Sequence, residues 1–555
     1  MKINLIDNGF CKAAGLLRTR ILERIPAEFS TDGLPLELCV DAGIGCAESY
    51  CILAAGNGWR ITGADHCGLI FGVGKFLHTA RWTADSFTPR PPQGVVSPAC
   101  DFRALDCPSH FYNWYQMAPV EELTRYLEDM MLWGYNTVYS SMGVVNMERL
   151  DGPLFRRTAE RFRSIFGAAK ELGLRIGLGL SPNQAERSAP HEFDADLSFN
   201  LELRGSLGRN LCLSKPGALE HMRGVWRAQL EQYTDIGIDY VSTWPYDEGG
   251  CGCPSCRPWG SNKYCDGCIE LAKEVHRYYP DARIIVSTWA FDAPNDEGEF
   301  AGLYRRLSGD MSIADYLLVD AHGDFPRYPL EHEPIKPIVN FPEISMWGLA
   351  PWGGFGANPL PERFQRLWDS VSHLVQGGLP YSEGIYEDIN KVQYIGYYWQ
   401  PDRHWTDILA EYIRYEYAED AVEEVLELMR CIEHSHTRIA GEQMPDAAVV
   451  RRAAQLAAAV NARLSDRARS AWRWRILYIR AVLDEKRYTH LLADTAEDPK
   501  KLLRFHYYSG DRLLDDPEAQ KLFLELQGYY HCVPHNGENH HTLPPAGGTK
   551  LDVVI

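Results

Sequence analysis

Two adjacent carboxylic acids, Asp247 and Glu248, directly follow the largely apolar segment DYVSTWPY at 239–246. Neighbouring like charges repel each other, and this repulsion together with partial burial raises the pKa of a carboxyl group. A carboxyl group that keeps its proton near neutral pH can serve as a general acid, while a second carboxylate supports positive charge. Pairs of this kind cleave glycosidic bonds. The alternative is that either acid caps the following helix, whose first N–H groups need acceptors.

The elements that must position this pair alternate between strand and helix patterns from about residue 100 to 400. Amphipathic helices are predicted near 119–133, 155–173, 216–235, 265–278, 297–307 and 362–376. This alternation predicts an α/β fold, a closed (β/α)8 TIM barrel. A doubly wound open sheet is the alternative, but such sheets usually carry a Gly-rich phosphate loop after the first strand, and the sequence has none there. The eight strand candidates are 101–106, 136–141, 175–180, 239–245, 283–289, 316–320, 336–341 and 379–384.

Flanking segments suggest two further domains. Residues 1–95 mix short strands with Gly turns and predict a small α/β domain, separated by a Pro-rich linker at 88–94 from the barrel at 100–403. Long amphipathic stretches predict a helical C-terminal domain at 404–535, and 536–555 reads as a tail.

A barrel of this kind places its active site at the carboxyl ends of the strands. The positions just after the strand candidates collect acids and tryptophans, beyond what folding requires. Aromatic rings stack on sugar faces, and aromatics make up 12% of the chain. With Asp247 and Glu248 as catalytic residues, we predict substrate contacts from Arg103, Trp114, Asn183, Trp244, Tyr246, Trp289, Asp320, His322, Glu343, Trp347, Trp352, Glu383 and Tyr386.

The motif WPYDEGG at 244–250 resembles the Asp–Glu pair of family 20 glycoside hydrolases, the β-N-acetylhexosaminidases. The segment WRITGADHCGLIFGVGKFL at 59–77 is similar to the small α/β domain that precedes the barrel in family 20 and in families 67 and 89. The long C-terminal helical region is closer to families 67 and 89. The resemblance as a whole implies an exo-acting glycosidase.

The resemblance also implies residue roles. Glu248 would be the general acid and then the general base, and Asp247 would orient the substrate's 2-acetamido group. That group would attack the anomeric carbon, which gives net retention. Trp289, Trp347 and Trp352 would form the walls of the sugar site, and Tyr386 would hydrogen-bond the acetamido oxygen.

Other functions remain open. STWPY replaces the His and Gly-Gly residues that usually lead into the family 20 pair, and Asp320, Glu343 or Glu383 offers a second carboxylate. An α-glucuronidase-like enzyme or another hexosidase is therefore an alternative, and uronate binding would need a cation such as Arg103 or Lys391. A non-catalytic carbohydrate-binding barrel is an alternative of another class. A metal-dependent isomerase or lyase using Asp320 and His322 is a third.

The segment CGCPSCRPWGSNKYCDGC at 251–268 contains two C-x2-C pairs. Two such pairs can each occupy one edge of a tetrahedral zinc site. Free thiols or redox pairs are the alternative. A four-thiolate site has no open position, so the zinc would be structural and catalysis would need no cofactor. The predicted ligands are Cys253, Cys256, Cys265 and Cys268, with Cys251 as a substitute for one of them.

The net charge and the cysteine content limit the binding partners and the cellular location that we expect. The formal net charge of −19 argues against nucleic acid and anionic membranes, which attract basic surfaces. The first residues contain no apolar stretch typical of a signal peptide, and 15 scattered cysteines are typical of a reducing compartment. The sequence therefore predicts a cytoplasmic enzyme for small oligosaccharides. A homodimer is expected by analogy with enzymes that carry long C-terminal helices.

Overall fold

The computed structural model describes most of the chain, in ten stretches. These are residues 1–108, 114–198, 209–246, 249–293, 296–320, 325–345, 357–382, 388–435, 446–497 and 516–530.

Eight parallel strands close into a barrel, and the eighth strand pairs with the first. The pairing is parallel at every step. The predicted (β/α)8 TIM barrel is therefore confirmed. In chain order the strands are Phe102–Asp106, Thr137–Ser141, Arg175–Leu180, Tyr240–Thr243, Arg283–Ser287, Tyr316–Asp320, Ile338–Phe341 and Val375–Gly378.

The eighth strand was predicted at 379–384, and that position is wrong. The strand is Val375–Gly378, and Tyr381–Ser382 instead pairs in parallel with Glu343–Ser345 beyond the barrel proper. Glycine is uncommon within strands, so a sequence pattern favours the more apolar stretch that follows. In this strand close packing requires glycine, because a Cβ added to Gly378 would lie 1.8 Å from Oη of Tyr398.

Helices surround the barrel close to their predicted positions. The helix Val120–Trp133 shows why: its buried face carries Leu123, Leu127 and Met130 at helical spacing, and it ends at Gly134 with φ of 116°. The barrel helices are Trp114–Met117, Val120–Trp133, Pro153–Leu172, Ala218–Leu230, Lys263–Tyr278, Glu299–Gly309, Arg327–Glu331, Pro361–Val371 and Asp388–Trp399. A short antiparallel pair, Gln184–Ala185 with Arg209–Asn210, lies in the third-strand loop.

The N-terminal region forms a separate six-stranded sheet with two helices, Cys11–Leu22 and His66–Thr79. The second helix lies directly against the barrel helix Val120–Trp133, because a Cβ on Gly74 would be 1.9 Å from the carbonyl oxygen of Leu132. Arg81–Trp82 and Phe87–Thr88 form a small hairpin. In spatial order the sheet strands are Glu28–Phe29, Lys2–Ile6, Leu34–Val40, Gly58–Gly63, Tyr50–Ala55 and Val95–Val96.

Arg103 joins this N-terminal region to the barrel and does not reach the predicted active-site end. Its guanidinium donates to Oε2 of Glu48 at 2.6 Å and to the carbonyls of Gly134 and Cys100, which precede barrel strands. The side chain is fully buried. Arg103 therefore lies at the amino-terminal end of the barrel, and its assignment as a substrate contact is corrected.

Helices also form the C-terminal region. Arg473 ties it to the barrel by donating to Oδ2 of Asp388 at 2.8 Å. None of the helices in the described stretches is long and apolar enough to span a membrane. The predicted tail, 536–555, lies outside the described residues. The C-terminal helices are Trp405–Glu416, Val422–His434, Ala447–Arg463, Asp466–Ser470, Trp472–Glu497 and Pro517–Tyr530.

Candidate active site

Asp247 and Glu248 lie outside the described residues, but the chain on both sides of them is described. On the amino side, Tyr246 is fully buried three residues after the fourth strand. Its hydroxyl donates to Oε1 of Glu299, a buried carboxylate that also accepts the Gly260 N–H at 2.7 Å. The residue that precedes the acidic pair is therefore fixed by a buried hydrogen bond, and we correct its predicted role from substrate contact to loop positioning.

On the carboxyl side, Asn183 holds the chain. Its Nδ2 donates to the carbonyls of Gly250 and Leu211, each at 3.0 Å, and its Oδ1 accepts the Gly250 N–H at 3.1 Å. Asn183 is fully buried, so we correct its predicted role from substrate contact to loop positioning.

The two glycines after the pair are required by this geometry. Gly250 has φ of 116°, in the left-handed region that side chains avoid. A Cβ on Gly249 would lie 2.6 Å from the carbonyl oxygen of Pro245. The Gly-Gly sequence therefore lets the loop turn tightly directly after the acids.

Four aromatic residues, which we call the aromatic cluster, lie together at the carboxyl ends of the fourth, fifth, seventh and eighth strands. Trp244 and Trp289 stack with ring centroids 5.2 Å apart, Phe341 lies 5.4 Å from Trp244, and Tyr381 lies 5.2 Å from Phe341. Trp244 and Tyr381 are partly exposed. The structure thus brings together two of the predicted tryptophans. It adds Phe341, which the sequence marked only as a strand end.

Glu343 lies beside this cluster. It follows Phe341 by two residues, and it is the register partner of Tyr381 in the short parallel extension. Its side chain is 8% exposed. A buried acidic residue thus lies in register with one member of the aromatic cluster, at the predicted end of the barrel.

The first strand ends in a buried acid, Asp106, that was left out of the predicted contacts. Burial raises the pKa of Asp106 well above its usual range, although Lys391 and the backbone of Ser382 oppose that shift. Within the described stretches, its Oδ2 accepts no hydrogen bond. The sequence could have identified Asp106, because it lies at the end of the first strand and the other candidates were selected by their positions at strand ends.

Lys391, which lowers the pKa of Asp106, and Trp114 are both buried against the same two tyrosines. Lys391 donates through Nζ to the hydroxyls of Tyr115 at 2.6 Å and Tyr126 at 3.1 Å. Trp114 packs edge-on against the same two tyrosines, at 5.4 and 5.3 Å, and is 4% exposed. We therefore no longer count Trp114 among the substrate contacts.

Several predicted residues stay predictions. Asp320 is the last residue of the sixth strand. The others lie outside the described residues: His322, Trp347, Trp352, Glu383 and Tyr386.

The cysteines form a cluster, but with a different membership from the predicted one. The Sγ atoms of Cys212, Cys251, Cys253 and Cys256 all lie within 4.8 Å of one another. The predicted ligands Cys265 and Cys268 are wrong. Both lie on the buried face of the helix Lys263–Tyr278, where their thiols contact the Gly260 carbonyl at 3.2 Å and Oγ1 of Thr243 at 3.5 Å. Cys212 was missed because it lies on the third-strand loop, far upstream in sequence.

No family model matches this sequence, and no curated protein matches it. Solved structures do. A family 115 4-O-methyl-α-glucuronidase with specificity for decorated arabinogalactans matches with a TM-score of 0.61 and 11% identity over 96% of this chain and 76% of its own. A family 89 enzyme from Clostridium perfringens, in complex with GlcNAc-α-1,4-galactose, matches with a TM-score of 0.59 and 12% identity over 93% and 64%.

A family 138 enzyme that targets pectin rhamnogalacturonan II matches with a TM-score of 0.55 and 11% identity over 95% of this chain and 74% of its own. Family 20 enzymes are matched as well, with TM-scores of 0.43 to 0.48. The chain thus has the fold of barrel glycoside hydrolases, and the expected resemblance to family 89 is confirmed at the level of the fold.

Proposed function

We propose that this protein is an exo-acting glycoside hydrolase in which Glu248 is the general acid and base. One observation carries the proposal. The chain is held on both sides of the acidic pair, by Tyr246 and by Asn183, at the end of the strand that also carries Trp244 of the aromatic cluster. Catalytic barrels place their reactive groups at this end, and positioned carboxyl groups beside aromatic rings suit sugar cleavage.

The reaction that fits best removes a terminal 2-acetamido sugar. The aromatic cluster would stack on the sugar ring, and Glu248 would give its proton to the leaving glycosidic oxygen as the C1–O bond breaks. The acetamido carbonyl oxygen would bond to C1, with the acetamido N–H donated to Asp247. Water, deprotonated by Glu248, would then attack C1 and break its bond to the acetamido oxygen. This step restores the acetamido group, and the product keeps the substrate's configuration. The proposed substrate is a small oligosaccharide, and no cofactor takes part.

The positions of two cations favour an uncharged sugar over a uronate. Recognition of a uronate requires a positive charge within the pocket. Arg103 is at the far end of the barrel, and Lys391 is buried against the hydroxyls of Tyr115 and Tyr126. The family 89 structure matched here binds GlcNAc-α-1,4-galactose, so α- as well as β-linked acetamido sugars belong in the test.

Glu343 supports a second candidate mechanism. Its buried position, in register with Tyr381 of the aromatic cluster, suits a base or nucleophile that would act together with Glu248. With a protein carboxylate in that role the substrate would need no acetamido group, and a plain hexoside would react.

The test is a screen of p-nitrophenyl glycosides with and without a 2-acetamido group, in both anomers, and including glucuronides. We expect the wild type to release p-nitrophenol from acetamido sugars, and Asp247→Asn to abolish this release while Glu343→Gln retains it. Activity on plain hexosides that Glu343→Gln abolishes would favour the second mechanism. No release from any glycoside would contradict the hydrolase. The cytoplasmic location and the homodimer remain predictions.

A further inference from the structure

We propose that Cys212, Cys251, Cys253 and Cys256 bind one zinc ion through four thiolates. The inference concerns the loops at the carboxyl ends of the third and fourth strands, and it stands whether or not the chain cleaves sugars.

The spacing of the sulfur atoms fits a tetrahedral ion. Cys212 Sγ lies 3.7 Å from the Sγ atoms of both Cys253 and Cys256, and all four sulfurs lie within 4.8 Å of one another. Four sulfurs placed about 2.3 Å from zinc at tetrahedral angles are about 3.8 Å apart. A disulfide needs sulfurs about 2.05 Å apart. The four thiols thus surround a space of the size of an ion.

Backbone hydrogen bonds hold the cysteines so that their thiols lie close together. The N–H groups of Cys256 and Arg257 donate to the carbonyl of Cys253 at 2.9 and 3.2 Å, which forms the tight turn of a C-x2-C pair. The Cys212 N–H donates to the carbonyl of Phe193 at 2.7 Å, which fixes the fourth ligand on the third-strand loop. The arrangement therefore does not depend on side-chain rotamers alone.

The burial and the chemistry of the four thiols indicate which role the ion would have. Cys212, Cys251 and Cys256 are buried, and Cys253 is partly exposed. Thiols are the preferred soft ligands of zinc, and a site closed by four thiolates has no position for water or substrate. The ion would therefore be structural. It would link the third-strand loop to the fourth-strand loop one residue beyond Gly250, which Asn183 already holds.

The test begins with metal analysis of the purified full chain. We expect about one zinc per chain in the wild type, and close to none in Cys212→Ala and Cys256→Ala. The matched controls are Cys265→Ala and Cys268→Ala, because these cysteines are buried in the neighbouring helix but lie outside the cluster. Zinc lost from the controls and retained in Cys212→Ala would overturn the ligand set.

Two measurements on the wild type keep the inference testable if a variant fails to fold. Titration with a mercurial reagent in the presence of a zinc indicator should release about one zinc per chain. Growth with cobalt should give the visible absorption of a tetrahedral cobalt–thiolate centre. A wild-type chain without zinc, or one with iron in its place, would contradict the proposal. Neither result depends on glycosidase activity, so failure of the zinc site is distinguishable from failure of the hydrolase.

Discussion

Asn183 and Gly250 form a reciprocal pair of hydrogen bonds: the Gly250 N–H donates to Oδ1 at 3.1 Å, and Nδ2 donates to the Gly250 carbonyl at 3.0 Å. The side-chain amide thus makes with Gly250 the two hydrogen bonds that a residue on a neighbouring strand would make with its backbone. Because a third bond goes to the Leu211 carbonyl, one buried side chain sets the distance between the loops of the third and fourth strands.

Asn183→Ala should lower kcat by about 10- to 100-fold with little change in KM. A small displacement of the catalytic groups lowers the rate of the chemical step more than it weakens substrate binding. Steady-state kinetics on the best p-nitrophenyl substrate would measure this. Asn8→Ala is the control, because Asn8 also donates to a backbone carbonyl, that of Leu38, but in the N-terminal sheet. Equal kcat values for Asn183→Ala and the wild type would refute the positioning role.

Tyr246→Phe should destabilise the fold by about 1–3 kcal/mol, because it takes a donor from the buried carboxylate of Glu299. Urea unfolding measures the loss. Tyr278→Phe provides a matched control, since Tyr278 donates to Glu231 at 2.7 Å on the exposed surface, and we expect a change below about 0.5 kcal/mol there. Similar costs for the two variants would show that burial of the pair has no special effect.

Trp244→Ala should raise KM about tenfold, a loss of about 1.4 kcal/mol of binding, by removing the partly exposed face of the aromatic cluster. We expect Trp244→Phe to recover most of it. Trp59→Ala, which removes a partly exposed tryptophan from the N-terminal sheet, should leave KM unchanged. A KM for Trp244→Ala within twofold of wild type would exclude the cluster from sugar binding.

Acid should weaken the fold through Glu411, which joins the C-terminal helices to the N-terminal region. Burial alone would raise its pKa, but Lys75 at 2.7 Å and Arg403 at 3.2 Å lower it to about 2. The folded pKa thus lies below the unfolded value of 4.5, so the ion pair stabilises the fold above that value. This stabilisation is lost as the pH falls through the folded pKa of about 2.

Glu411→Gln should therefore lower the free energy of unfolding at pH 7 and flatten its dependence on pH below 5. Denaturant unfolding across that range provides the measurement. Glu419→Gln, which breaks an exposed pair with Arg90, should change little. An unaltered pH dependence in Glu411→Gln would rule out this source of acid sensitivity.

Seven of the eight barrel strands could be located from the sequence because short apolar segments that alternate with amphipathic helices are a local signal. The eighth could not, since Gly377 and Gly378 are selected by a close approach to Phe102 and Tyr398 that only the closed barrel creates. The same applies to Cys212, whose role depends on a contact between two loops. Spacing along the chain favoured Cys265 and Cys268 instead, although the helix that carries them turns both thiols inward.

In the candidate site, the choice of residues at strand ends selected Trp244 and Trp289, which the structure brings into contact. That choice could not distinguish residues that face a substrate from residues that hold loops. Asn183 and Arg103 both have side chains rich in donors, and both are used entirely inside the protein. That distinction depends on burial and on partners distant in sequence.

The most direct test of the account is the rate of glycoside hydrolysis by Glu248→Gln. The substitution keeps the size of the side chain but removes the transferable proton, so kcat should fall about 10²- to 10⁴-fold. Glu297→Gln, in the partly exposed ion pair with Arg257, should hydrolyse the same substrate at the wild-type rate. Hydrolysis by a folded Glu248→Gln at a rate close to that of the wild type would contradict the proposed hydrolase.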